Sequence, residues 1–180
     1  MKIICTGNPN KGIAKSIKEL YPETYFVSRS SGYDLSTETG IYSFKKMLPY
    51  YDVFINHSQL QGDTQIKLLR MANELWATGH VINIGSVMEF PQWEWIEPAA
   101  AEQKRQLRDL SLSLSSEHFK TSHIIVGGLQ SSNNDPLRIH PEQVAKTIKW
   151  ILENENHIPL MYVDKVSDEL INRYLNKTII

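Results

Sequence analysis

Short apolar runs alternate along this chain with longer segments whose apolar residues recur every three or four positions. Lys2–Cys5 is a run long enough for a buried strand, and Thr6–Gly12 is a turn rich in Gly, Asn and Pro. Ile13, Ile17 and Leu20 then have helical spacing. Further runs predict strands at Thr24–Ser28, Asp52–Asn56, His80–Ile84 and Ser122–Val126, with a short last one at Leu160–Val163. Helical patterns fall at Thr37–Leu48, Thr64–Thr78, Pro98 to about Phe119 and Pro141–Leu152, with a terminal helix at Lys165–Leu175. Tyr33-Asp34-Leu35 stands where a third strand belongs, which makes Asp52–Asn56 the fourth. Too few residues precede it for a full helix, so that helix is missing or reduced to a turn.

Strands alternating with helices predict an α/β fold, a doubly wound parallel sheet in three layers with helices on both faces. Right-handed crossovers are the natural connections. The length of 180 residues predicts one domain, residues 1–180. Ligands of such sheets bind beyond the carboxyl ends of the strands, at the switch point. That edge collects Gly7, Arg29, Asn56, Ser86 and Gly128.

Composition removes several classes of function. With 19 Lys and Arg against 20 Asp and Glu there is no electrostatic footprint for nucleic acid. No basic run points to a membrane surface, and no apolar stretch is long enough to span one. The N-terminus lacks a secretory pattern, and the one cysteine, Cys5, lies in the first predicted strand as a buried thiol. A cytoplasmic location is expected. The six histidines lack ligand spacing, so no metal is expected.

The opening strand–turn–helix places a helix N-terminus, with its unpaired N–H groups, beside a strand's carboxyl end. Glycines there allow close approach to a phosphate. A P-loop is rejected: Gly7 and Gly12 have its spacing, but Ile13 and Ala14 follow, and Lys15-Ser16 come two positions late.

Thr6-Gly7…Gly12-Ile13-Ala14 resembles the T-G-x-x-x-G-x-G turn of the short-chain dehydrogenase/reductase family, with one extra residue and Ala14 for the last glycine. Other marks follow in family order. Arg29 stands where members preferring NADP carry a basic residue, and a guanidinium pairs well with a ribose 2′-phosphate. Asp34-Leu35 resembles the Asp-aliphatic pair that meets the adenine amino group. Asn56-His57-Ser58-Gln59 stands for Asn-Asn-Ala-Gly, and Val81–Ser86 for the strand delivering the catalytic serine. Gly127-Gly128…Ser132 replaces the Pro-Gly…Thr stretch over the nicotinamide. The resemblance implies an NADP(H) site, with NAD(H) second, held by Gly7, Asn10, Gly12, Ile13, Arg29, Asp34, Leu35, Asn56, Ser86, Lys104, Gly128 and Ser132. It implies catalytic roles for Ser86 and Lys104, and a homodimer or tetramer built on the helices Thr64–Thr78 and Pro98–Phe119. Their leucines exceed what one sheet face needs.

One departure touches the chemistry. The family's Tyr-x-x-x-Lys pair places tyrosine four residues before the lysine, where this chain has Ala100. Without the phenol the proton donor is gone. Nor is there the asparagine of the family's proton relay; Gln61 and Thr64 lie nearby. Glu102 points elsewhere on the helix, while His57, Glu89 and Trp93 are substitute acids to be weighed, each also readable as structural. Three readings stay open: an NADP(H)-binding protein with impaired chemistry, a working oxidoreductase with a substituted acid, and an interaction protein that binds no nucleotide. The aromatic loop Val87–Glu97 names no substrate.

Overall fold

A computed structural model describes residues 1–58, 62–91, 97–129 and 138–164. Six parallel strands, β1 (Ile3–Thr6), β2 (Tyr25–Val27), β3 (Val53–Asn56), β4 (Gly79–Ile84), β5 (Phe119–Val126) and β6 (Leu160–Val163), form one sheet in the order β2-β1-β3-β4-β5-β6. The helices are α1 (Gly12–Leu20), α2 (Glu38–Met47), α3 (Thr64–Leu75), α4 (Pro98–Leu114) and α5 (Pro141–Glu153). The expected terminal helix at residues 165–175, together with Gln61, Trp93 and Ser132, lies outside the described residues.

The strands are apolar on both faces because both are covered. Ile3, Cys5, Val53, Ile55, Ile82 and Ile84 point to one side, where Ile13 and Ile17 of α1 and Val144 and Ile148 of α5 meet them. Ile4, Phe54 and Val81 point to the other, against Phe44 of α2, Leu68 and Leu69 of α3 and Leu107 of α4. The period-two alternation of a strand thus sorts one continuous apolar run into two cores. Burial in the first of them pushes the Cys5 thiol's pKa up.

The third strand expected at Tyr33–Leu35 does not form, and Val53–Asn56 is the third strand rather than the fourth. Local polar groups turn the chain instead. Ser28 and Ser31 bracket a 3₁₀ turn at Arg29–Ser31, Gly32 closes it at φ 87°, and the Asp34 carboxylate accepts the Ser36 N–H at 3.0 Å. Thr37 then caps α2 by accepting the Gly40 N–H at 3.1 Å. The switch point therefore lies at β1, between β2 and β3.

Two further differences concern α4 and α5. α4 stops at Leu114 rather than near Phe119, because the Ser116 hydroxyl accepts the Phe119 N–H at 3.1 Å and turns the chain into β5. α5 packs on the α1 face although β5 and β6 are parallel neighbours, whereas α3 and α4 connect neighbours in the same direction across the opposite face. The β5–α5–β6 crossover is thus opposite in hand to those, against the right-handed expectation. Gly127, Gly128 and Leu129, directly after β5, share a cleft with Ile13 of α1 at the carboxyl end of the sheet. On the outer layer Leu68, Leu69 and Leu107 are buried within the chain, and Leu112 is the exposed leucine of α4.

Candidate functional site

Thr6 fixes the switch point. Its buried hydroxyl accepts the backbone N–H groups of His57 at 2.9 Å and Ser58 at 3.1 Å, which ties the end of β1 to the chain leaving β3. The His57 ring then lies against Gly7. Its Nδ1 is 3.2 Å from the Thr6 carbonyl, and a Cβ on Gly7 would sit 2.6 Å from that nitrogen. Gly7 also has φ 135°, so glycine is required twice over.

Gly12, at φ 51°, opens α1 with clear space around its Cα: an added Cβ would meet nothing within 4 Å. The residue before it, Lys11, is extended and makes no side-chain capping bond, and the first turn holds no acidic residue. The first N–H groups of α1 are therefore left without a side-chain partner at the positive end of the helix dipole. An anionic group fits this terminus. Asn10 is exposed on the same turn, where its N–H is 3.0 Å from the Asn8 side-chain oxygen.

A cleft of about 380 Å³ runs from α1 to α4 along the carboxyl end of the sheet. Ile13, His57, Gly85, Ser86, Lys104 and Gly128 all line it. A larger hollow of about 610 Å³ opens at the amino end of β1, beside Tyr21, Tyr25 and Tyr51, at the opposite edge of the sheet.

Lys104 is only 7% exposed. Its Nζ donates to the Gln65 side-chain oxygen at 2.6 Å and to the Ile84 carbonyl at 2.9 Å. Burial lowers its pKa from 10.5 to about 8, with the Glu89 charge acting the other way. Ala100 lies one helical turn earlier and is buried beside a niche of about 20 Å³ that Gln65, Gly62 and Lys104 also border. A methyl group thus faces Lys104's own surroundings.

Gln65, which sequence reasoning missed, sits at the centre of a buried polar chain. Its Nε2 donates to the Asn56 carbonyl at 2.8 Å, Asn56 Nδ2 donates to Asn83 Oδ1 at 2.9 Å, and Asn83 Nδ2 donates to Ser111 Oγ at 3.1 Å. The signal available was its place on the first turn of α3, next to Thr64. Asn56 is fully buried in this chain rather than facing the cleft, and Leu35 is packed in the core against α2.

Ser86 ends β4 and caps a 3₁₀ turn at Val87–Glu89. Its hydroxyl accepts the Met88 N–H at 3.3 Å, and its backbone N–H donates to Glu89 Oε1 at 2.9 Å. Glu89 is buried, not solvated: the same oxygen is 2.8 Å from His123 Nε2, and Arg108 lies 3.7 Å from the other. Gly85 admits this pair, since a Cβ there would collide with both Glu89 and His123. His57 does not titrate in the neutral range, because desolvation lowers its pKa to about 4, against the Thr6 contact and with the Lys104 charge. Glu102 is exposed and bound to Gln106 and Arg105.

Arg29 is exposed on the turn after β2, beside the Ser28 and Ser30 hydroxyls, which are 2.8 Å apart. The Asp34 carboxyl is held below the usual carboxylate range by Ser36, with Arg29 adding to the effect. Among the described residues no cluster of His, Cys, Asp and Glu can hold a metal ion, and no helix is long and apolar enough to cross a membrane.

No family model matches the sequence, and no curated protein matches it. Solved structures do match the fold. The bulky-bulky ketone specific alcohol dehydrogenase from Comamonas testosteroni superposes with a TM-score of 0.70 at 13% identity, covering 99% of this chain and 92% of that one. A short chain dehydrogenase from Burkholderia cenocepacia J2315, in complex with NADP, gives 0.64 at 11%, covering 100% and 99%. The 3-alpha-hydroxysteroid dehydrogenase from Pseudomonas sp. B-0831, complexed with NADH, gives 0.65 at 14%, covering 96% and 99%. The chain has the Rossmann-type fold of the short-chain dehydrogenases/reductases.

Proposed function

We propose that the chain binds NADP(H) in the cleft between α1 and α4, with the proton-transfer chemistry of the short-chain dehydrogenases/reductases impaired. The observation that carries this is one continuous cleft, with an uncapped, glycine-opened helix N-terminus at one end and Ser86 with Lys104 at the other. Ala100 stands where the phenol would be. Solved neighbours of the same fold hold NADP and NADH, which supports the ligand class.

Gly7, Asn10, Gly12 and Ile13 receive the pyrophosphate on the first turn of α1. Arg29, with Ser28 and Ser30, takes the ribose 2′-phosphate, and this selects NADP(H) over NAD(H). Asp34 meets the adenine amino group. Lys104 hydrogen-bonds the nicotinamide ribose, and Gly128 with Ser132 closes over the ring. Asn56 and Leu35 support these groups from behind. A bound nicotinamide dinucleotide supplies hydride transfer; the protein positions it, and Ser86 holds a carbonyl oxygen. His57 does not replace the tyrosine's proton at neutral pH, because its ring stays neutral down to about pH 4.

The proposal includes a cytoplasmic protein that self-associates through α3 and α4, where Leu112 is exposed. Titration with NADPH tests binding, and an NADPH oxidation screen over carbonyl compounds tests the impaired chemistry. Robust turnover would favour a working oxidoreductase, and no nucleotide binding would favour an interaction protein.

A further inference from the structure

We propose that Lys104 is a nucleophilic amine that captures small aldehydes in the cleft as imines. This rests on the reading above only for the placement of Lys104 in the cleft with no phenol beside it. Three observations carry it.

The first is the hydrogen-bond count. Lys104 Nζ has two acceptors, the Gln65 side-chain oxygen at 2.6 Å and the Ile84 carbonyl at 2.9 Å. Both are neutral, and no salt-bridge partner lies within reach of Nζ among the described residues. A neutral amine has two N–H groups, which these acceptors satisfy, and one lone pair left over. An ammonium has a third proton that these two acceptors leave unmatched.

The second is access. Lys104 is buried by area, yet it borders both the cleft of about 380 Å³ and the niche of about 20 Å³ beside Ala100. The third is the set of charges around it. Glu89, on the turn after β4, favours the ammonium, but its Oε1 is occupied by the Ser86 N–H and His123. Its Oε2 faces Arg108. His57, leaving β3, is neutral above about pH 4. Asp63, at the start of α3, is paired with Lys67. Desolvation dominates and lowers the pKa to about 8, so the free base is populated near neutrality.

The step is balanced without a redox partner. The Nζ lone pair attacks the aldehyde carbon and a C–N bond forms. The C–O bond then breaks, and the oxygen leaves as water with both amine hydrogens. Ser86 Oγ accepts from Met88 and keeps its own proton for the carbonyl oxygen.

The test uses the full chain without nucleotide, propanal as the probe and cyanoborohydride to fix the imine, followed by peptide mapping. Lys104 should be labelled about tenfold faster than the exposed Lys18 and Lys45 at pH 8. Its labelling should rise through about pH 8 and level off. Ala100→Tyr, which places a phenol one turn away, should slow it by keeping the amine protonated. Labelling of Lys104 no faster than of Lys18 and Lys45 would overturn the inference. An NADPH titration on the same preparation separates the two ideas: labelling without nucleotide binding upholds the amine and defeats the binding reading, and binding without labelling does the reverse.

Discussion

Lys104 Nζ lies 2.6 Å from the Gln65 side-chain oxygen, and this contact joins the cleft to the interior. From Gln65 the hydrogen bonds run through Asn56 and Asn83 to Ser111, beneath the carboxyl ends of β3 and β4. Gln65→Leu keeps the volume but removes an acceptor from Lys104 and a donor from the Asn56 carbonyl. Both groups are buried, so the expected loss is about 1.5–3 kcal/mol. Urea unfolding checks it. A midpoint unchanged from the natural protein would show that the contact carries no stability.

The two glycines of the first turn should respond differently. At Gly7 an alanine meets His57 at 2.6 Å and must hold φ 135°, so Gly7→Ala should cost on the order of 3 kcal/mol or more. At Gly12 only the φ of 51° resists, so Gly12→Ala should cost roughly 1–2 kcal/mol. Gly12→Ala should nevertheless weaken nucleotide binding, because a methyl then stands where the phosphate approaches the helix. Thermal melts and nucleotide titrations of both variants distinguish a folding role from a binding one.

Stability should fall in mild acid. Desolvation lowers His57 and His80 from 6.5 to about 4 in the folded chain. The unfolded chain therefore takes up protons first, and stability is lost as pH drops from about 6.5 to about 4. Each ring contributes on the order of 3 kcal/mol over that window. Lys104 acts in another range: its folded value of about 8 lies below 10.5, so its cost to stability is relieved as pH rises from about 8 toward 10.5. Urea midpoints against pH should show both limbs, and His80→Gln should flatten the acid one.

Ala100→Tyr tests the missing acid. The new side chain projects one turn from Lys104 on the same helix face. General acid catalysis contributes typically about 10²–10⁴-fold, so NADPH-dependent reduction of small activated ketones should rise from little or nothing to a measurable rate. Equal rates before and after would mean that the phenol is not the missing part.

Much of the architecture was legible because its signals are local. The helical patterns of α1, α3 and α5 and the apolar runs of β1, β3 and β4 each carry their own periodicity. The count of strands was not, because Tyr33-Asp34-Leu35 is ordinary strand material; Gly32 and the serines around it decide the matter by side-chain hydrogen bonds that periodicity does not register. The side of the sheet taken by α5 depends on packing against α1, which no local pattern encodes. The gathering of Gly7, Gly12, Ser86 and Lys104 at the carboxyl end of the sheet was legible from motif spacing. Gln65 and the Glu89–His123 pair were not, because Gln65 meets Lys104 from 39 positions away and Glu89 meets His123 from 34. Asn56 was assigned to the cleft on its motif, yet the inward side of β3 claims its side chain.

The central claim is an NADP(H) site in this cleft, and calorimetric titration of the natural protein with NADPH and NADH tests it most directly. A charge-assisted phosphate contact contributes about 1.5–3 kcal/mol. The account predicts that NADPH binds one per chain and about 10–100-fold more tightly than NADH. Arg29→Ala should erase most of that difference. Absence of binding by either nucleotide would contradict the account.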